Sequence, residues 1–347
     1  SVTNADAIVI GQEQDAFGGS FTDAQSFVGQ LDEFKIFGKK IADIQIYNMH
    51  QNELVGNNYD ASLRDIVQCN LALAGRVTLN NTADSPAFTS VCFDTPFSEV
   101  PRVFSLPTTV SDSDRLALRI RNVTKTGFEI AQVESEEDNN PNAPAGNVSQ
   151  TVDFFAIPEG DYPLNDGATM RVSSVNTQRN QGNRTSGSSW EVIDTTDLGF
   201  SQSPAIIASI QTMNNETSPF PSSNPFLATT IQNIGTGSFN IALERAETDD
   251  GVLTTDENIA YIAITPGIAG QLTSGISYES FQTANRSITG FNTCQVVNLN
   301  GDYSNDIPLV IASQNSRNGG DGGWLKRCSI SSSSVGFSIV EDMDGDT

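Results

Sequence analysis

Carboxylates have the most evident capacity for chemistry in this sequence, and they come in three clusters. Glu134, Glu136, Glu137 and Asp138 form the first, Glu244, Glu247, Asp249 and Asp250 the second, and Glu341, Asp342, Asp344 and Asp346 the third. Each follows a Phe/Ile strand pattern, so the three occupy equivalent loops. Recurrence of this kind suits a cation. The Asp-x-Asp-Gly-Asp order of Asp342, Asp344 and Asp346 supplies the oxygen density that calcium takes, although no terminal Glu completes an EF-hand loop. The same clusters serve equally as solvated loop tips that keep a protein soluble. Paired acids in a β-sandwich are also the apparatus of a glycosidase, which needs two carboxyls roughly 5–9.5 Å apart in a cleft. Nothing singles out one such pair among the 42 acids. His50 is the one histidine, and no Gly-x-Ser-x-Gly elbow exists to partner it, which excludes a hydrolase triad. No catalytic residue is expected, and the chain reads as non-enzymatic.

Eighteen Lys and Arg against 42 Asp and Glu leave a formal charge of −24. Such a field repels phosphate backbones and anionic lipid, so nucleic acid and membrane surfaces are poor partners. No stretch approaches the ~18 uninterrupted apolar residues of a spanning helix. The opening residues lack the basic segment of a signal peptide, so either a leader has been removed or the chain starts late.

Cys69, Cys92, Cys294 and Cys328 are too widely spaced for a redox or zinc motif, and four cysteines allow three pairings. Pairing of neighbours, Cys69 with Cys92 and Cys294 with Cys328, is the economical expectation and implies an oxidising, extracytoplasmic site. Four free thiols in a cytosolic protein are the alternative. Trp190 and Trp324, set among Gly and Ser, offer either faces for sugar stacking or anchors for loops.

The elements that must position these groups read as all-β. Strand-like runs are Ala7–Gly11, Phe34–Phe37, Val103–Leu106, Leu116–Ile120, Phe128–Val133, Val152–Ile157, Ala205–Ile210, Phe239–Leu243, Ile259–Ile264, Leu309–Ala312 and Phe337–Val340, punctuated by Gly, Asn, Asp and Ser. One helical pattern covers Ile41–Met49. From about residue 64 the chain repeats itself three times. Pro101, Pro204 and Pro308 each open a buried strand. Gly127, Gly237 and Gly336 each mark a turn before alternating Phe and Ile. A closing strand, Val152–Ile157, is matched by Ile259–Ile264, and the third copy stops before its own. A missing strand leaves an open edge, which pairs with something.

Ala7 to Asp15, followed by Gly18-Gly19, Gln25 to Gly29 and Leu31 to Phe34, closely resembles the C-terminal half of a pentraxin or laminin-G type jelly roll. The resemblance covers about residues 5–50. It implies that Glu13, Gln14 through its main-chain oxygen, Asp15 and Gln25 bind calcium, with further ligands from a loop that would precede residue 1.

The repeats, with Asn80 to Ser85, Val100 to Phe104, Ile120 to Thr124 and Gly127 to Ile130 in the first copy, resemble H-type lectins. More closely, they are similar to laminin-G-plus-repeat proteins assigned to biogenesis of the mannose-sensitive haemagglutinin (MSHA) pilus of marine bacteria. That resemblance implies six-stranded β-sandwiches that bind N-acetylgalactosamine-like sugars. Phe154, Phe155 and Tyr261 stand near where those lectins carry a closing-strand Trp, and no sugar-contacting residue transfers.

The expected architecture is therefore all-β, in tandem β-sandwiches. A partial jelly roll spans 1–55, and H-lectin-like repeats span 64–160, 165–268 and, incompletely, 272–347. The expected function is extracellular, calcium-supported adhesion to glycans or cell-surface polysaccharide, pilus-associated, with homo-oligomers as possible partners. The alternatives are a structural filament or sheath subunit joined through β edges, and an accessory module of a polysaccharide-degrading enzyme.

Overall fold

A computed structural model describes residues 72–80, 87–106, 108–109, 116–134, 148–164, 167–182, 189–216, 225–272, 276–285, 287–288, 293–301, 303, 307–319 and 322–340. All belong to the second of two compact units, Cys69–Thr347. The expected strands at Ala7–Gly11 and Phe34–Phe37, the Ile41–Met49 helix and His50 lie outside the described residues.

Among the described residues the chain is all-β, with one 3-10 turn at Thr196–Leu198. The first set of strands is β1 (Leu73–Leu79), β2 (Thr89–Cys92), β3 (Arg102–Phe104), β4 (Thr108–Thr109), β5 (Leu116–Thr124), β6 (Gly127–Glu134) and β7 (Gln150–Ile157). An inner sheet β1-β7-β3 faces an outer sheet β2-β6-β5. Between them lies a core that includes Leu79, Phe97, Val103, Ile120, Phe128 and Phe154.

The second set repeats this plan. It comprises β8 (Gly160–Pro163), β9 (Thr169–Thr177), β10 (Asn180–Gln181), β11 (Glu191–Asp194), β12 (Ala205–Ile210), β13 (Pro225–Gln232), β14 (Ser238–Asp250) and β15 (Glu257–Ile264). The inner sheet runs β12-β15-β9-β8, and in the outer sheet β14 pairs with β10, β11 and β13. The third set has β16 (Ile268–Gln271), β17 (Ser277–Ser280), β18 (Gln295–Asn298), β19 (Trp324–Ile330) and β20 (Ser334–Val340). Its outer sheet is β18-β20-β19, extended by β4 of the first set, which runs parallel to β19.

Near-continuous apolar character, not alternation, marks β7 and β15, because both are central strands covered on both faces. Val152, Phe154 and Ala156 face the first core, while Phe155 and Ile157 face a further cluster. Ile259, Tyr261 and Ala263 face the second core, and Ala260, Ile262 and Ile264 face that same further cluster.

That shared cluster is where the three sets meet. Phe104, Ile207 and Ile311, each three residues beyond its proline, all lie in it. The proline-anchored segments are joined head to tail by matched hydrogen bonds. Val103 N donates to Gln211 Oε1 at 3.0 Å and Val103 O accepts from Gln211 Nε2 at 2.7 Å. Ile206 makes the same pair with Asn315, at 2.9 and 2.6 Å. Ser105 N donates to Ser209 Oγ at 3.3 Å, and Ala208 N to Ser313 Oγ at 3.0 Å. Ala312 N then donates to Leu106 O at 3.0 Å, linking the third segment back to the first. One chain thus closes into a pseudo-threefold ring.

One expected strand is corrected. Leu309–Ala312 belongs to no sheet. Its counterparts β3 and β12 are strands because they pair with the closing strands β7 and β15, and among the described residues nothing stands in that place in the third set.

Candidate functional site

The chemistry of the described residues is concentrated where the sandwiches meet, and each junction holds one buried ion pair. Between the first and second, Arg119 on β5 donates from Nε to Glu216 Oε1 at 2.7 Å, with both side chains 1% exposed. The Arg119 guanidinium also lies over the Phe226 ring, 5.9 Å from its centroid. Between the second and third, Arg317 donates from Nε and Nη2 to the two oxygens of Glu244 at 2.8 and 3.0 Å. Between the third and first, Arg327 Nη1 donates to Asp153 Oδ2 at 2.5 Å. Asp153 also accepts from Arg76 Nε at 2.8 Å and from Val310 N at 2.9 Å.

Burial raises the Glu216 carboxyl above the ordinary carboxylate range, and the facing Arg119 opposes that rise. A fourth buried acid, Glu257, accepts from Thr212 Oγ1 at 2.5 Å and from the Asn214 and Asn215 amides at 2.8 Å each. Asp153, Glu216, Glu244 and Glu257 are all engaged by protein donors. A general acid or base must instead exchange its proton with a substrate in a cleft, so these four act structurally.

The exposed pair Asp161 and Asp197 shares one cation. Arg171 donates to Asp161 at 2.6 and 2.7 Å and to Asp197 at 3.1 and 2.6 Å. The guanidinium holds both carboxyls below their usual range.

On the ring axis Ser105, Ser209, Ser313, Ala117, Ala228 and Trp324 border a cavity of about 40 Å³. A single water needs roughly 10–15 Å³ on this measure. The cavity therefore has room for water.

The sequence-derived site residues fare differently. Glu13, Gln14, Asp15, Gln25, Asp342, Asp344 and Asp346 lie outside the described residues. Among the described residues no group of three or more His, Cys, Asp or Glu is placed to hold a metal ion. Glu244, read as part of an acidic loop, is a buried interface carboxylate. Trp324 is an anchor, 2% exposed and tilted over Phe226 at 5.3 Å between centroids.

Cys294 and Cys328 form the expected disulfide, with 5.9 Å between Cα atoms. It crosses β20 at Gly336, where an added Cβ would lie 2.6 Å from Cys294 Sγ. The other expected bridge, Cys69 to Cys92, is corrected: Cys92 is an exposed free thiol. The cause is strand direction. Ser90 and Cys92 share the exposed face of β2, so the thiol is turned to solvent. Cys69 itself lies outside the described residues.

The interface residues escaped the sequence reading. Asp153 carried a signal, being one acid inside an apolar closing strand where the second copy has Ala260. Arg119 and Gln211 carried none.

Residues 1–81 match the Pentaxin family. Over 42 residues the chain is 45% identical to Neuronal pentraxin-1 of Rattus norvegicus, Homo sapiens and Mus musculus, which covers 12% of this chain and 10% of each of those proteins. The N-terminal region is pentraxin-like. The chain spans about a tenth of the length of the curated relatives it matches. The matched range runs through β1 (Leu73–Leu79). No solved structure matches the chain. No helix among the described residues is long and apolar enough to cross a membrane.

Proposed function

We propose that this chain is an extracellular, non-enzymatic adhesion protein that binds glycans or cell-surface polysaccharide with the support of calcium, in a pilus-associated setting. The observation that carries the reading is the Pentaxin match over residues 1–81, joined to a ring of three sandwiches in which Asp153, Glu216, Glu244 and Glu257, the buried acids among the described residues, are engaged by protein donors.

In this reading residues 1–55 are the C-terminal half of a laminin-G/pentraxin-like jelly roll, and Glu13, Gln14, Asp15 and Gln25 take calcium in the intact domain. Residues 64–160, 165–268 and 272–347 are H-lectin-like repeats. Fixing three such modules in one chain gives weak sugar sites avidity without new contacts. The Cys294–Cys328 disulfide fits an oxidising, extracellular location.

Glycan-array binding by the full chain in calcium, repeated in chelator and with Asp15→Asn, tests the reading. Binding that falls at least about tenfold on chelation and in the variant, roughly 1.4 kcal/mol, supports it. An array that stays blank in calcium, or binding indifferent to chelator, overturns it.

A further inference from the structure

Among the described residues the third sandwich lacks one strand that the other two have. In the first, β7 lies between β1 and β3, antiparallel to both. In the second, β15 lies between β9 and β12, again antiparallel to both. The third has both flanks, β17 and the segment after Pro308, and among the described residues nothing between them.

The exposure pattern shows what that omission uncovers. Ala205 and Ile206 are 7% and 1% exposed. Their counterparts Leu309 and Val310 are exposed by 38% and half-buried, and Ile307 beside them is 51% exposed. Ile311 and Tyr278 reach the shared central cluster and are only partly buried there, alongside the fully covered Ile262 and Ile264 of β15. An apolar segment opened in this way, with Ile307 O, Pro308 O and Val310 N held by Arg76 and Asp153 and no strand paired along it among the described residues, is the geometry of strand addition.

We propose that the space between β17 and residues 308–312 is an acceptor groove for one extended strand of the β7 and β15 type, reaching it from the end of β20. The chain order of the other two sandwiches supports this occupant. β6 ends at Glu134 and β7 follows at Gln150; β14 ends at Asp250 and β15 follows at Glu257. The register follows from the second sandwich, where Ile264 lies between Met170 and Ala205, and Ile262 between Val172 and Ile207. By correspondence the incoming strand sets its last residue between Tyr278 and Leu309. The residue two before it lies between Ser280 and Ile311, with Val310 and Glu279 flanking the one between.

The groove asks for apolar side chains on both faces of the strand, because one face completes the core that Val335 and Phe337 begin and the other covers the central cluster. Glu279 on the β17 flank is already engaged by Asn300 and Gly301 amides at 3.0 and 2.8 Å, so it does not demand a cation from the incoming strand.

The test adds a synthetic peptide of the sequence Glu257–Ile264 in trans to the full chain. Backbone amide exchange is followed at Ser277–Ser280 and Leu309–Ala312, together with the melting temperature. The control is the same peptide with Ile262→Pro, which lacks one ladder donor and breaks the register. Slowing of exchange by about tenfold or more at both flanks, confined to those segments and absent with the Pro peptide, supports the groove. Unchanged exchange at saturating peptide, or equal protection by the Pro peptide, overturns it. Protection of both flanks that rises with protein concentration in the absence of peptide shows a second copy filling the space and overturns the assigned occupant.

Discussion

Asp153→Asn tests whether the ring is held by its buried charges. Asp153 is fully buried and receives three donors from two sandwiches: Arg76, Arg327 and the Val310 amide. The asparagine keeps the shape, removes the charge and turns one acceptor into a donor facing donors. Arg76 is 39% exposed and keeps its hydration, so its share is small. Arg327 is only 9% exposed and loses its counter-ion in place. Removing one partner of a buried pair costs about 3–5 kcal/mol. At roughly 2–4 °C per kcal/mol for a unit of this size, the melting temperature falls by about 10 °C. Thermal unfolding gives the magnitude, and exchange at the Val310 amide shows whether the third-to-first junction opens first. Arg327→Met alone and in combination with Asp153→Asn completes a double-mutant cycle. The double variant regains much of the loss, because it leaves no stranded charge. A single-variant loss below about 1 kcal/mol, or strictly additive effects, would refute the argument.

Three further perturbations have definite outcomes. Gln211→Ala leaves both Val103 main-chain groups without their partner; at about 1–3 kcal/mol for each unsatisfied group, chemical denaturation should show a loss of several kcal/mol, and a loss under 1 kcal/mol counts against the ring bonds. Gly336→Ala puts a methyl group against Ser329 Oγ and both sulfurs; free-thiol titration under denaturant should rise by two relative to wild type, and unformed bridges forfeit about 3–4 kcal/mol for a 34-residue separation. Arg171→Ala releases Asp161 and Asp197, whose carboxyls sit below their ordinary values through its hydrogen bonds. For an acid depressed in the folded state the stabilisation is present above the unfolded value and is lost as pH falls through the folded one. Carboxyl NMR titration should therefore move both groups upward in the variant, and acid unfolding should begin at higher pH. Unmoved titrations would exclude the clamp.

The legible part of the fold was the part whose burial leaves a mark on neighbouring residues. Val152–Ile157 and Ile259–Ile264 announced themselves because a strand covered on both faces has no polar alternate to dilute it. The three prolines did so because each opens an inner segment at the ring axis, which is a strand in the first two sets. β9 was missed although Met170 and Val172 do alternate inward, since Ser, Arg and Asn fill its other positions. β1 was missed because Gly75 interrupts it; that glycine makes room for the Phe154 ring, which an added Cβ would approach to 2.7 Å. The junctions were illegible for a different reason. Arg119 and Glu216 are 97 residues apart, Arg317 and Glu244 are 73, and Arg327 and Asp153 are 174, and no local periodicity records such distances. Leu309–Ala312 shows the converse, since its sequence is that of a strand and it pairs with none among the described residues.

The three ion pairs also bear on why one chain carries three unlike copies. A formal charge of −24 works against packing sandwiches together, and each junction answers with an arginine from one copy facing a carboxylate of another. The pairs occupy non-equivalent places: β5 to the loop after β12, the loop after residue 315 to β14, and β19 to β7. A symmetric trimer of identical modules would repeat one pair three times. Here each copy carries charges that fit a single neighbour, and mispairing leaves a buried ion unmatched at a cost of several kcal/mol. The main-chain ladder to Gln211, Asn315 and Leu106 is nearly interchangeable between copies, so it closes the ring without ordering it. The charges distinguish one junction from another, while tethering in one chain supplies the effective concentration that lets modest interfaces suffice.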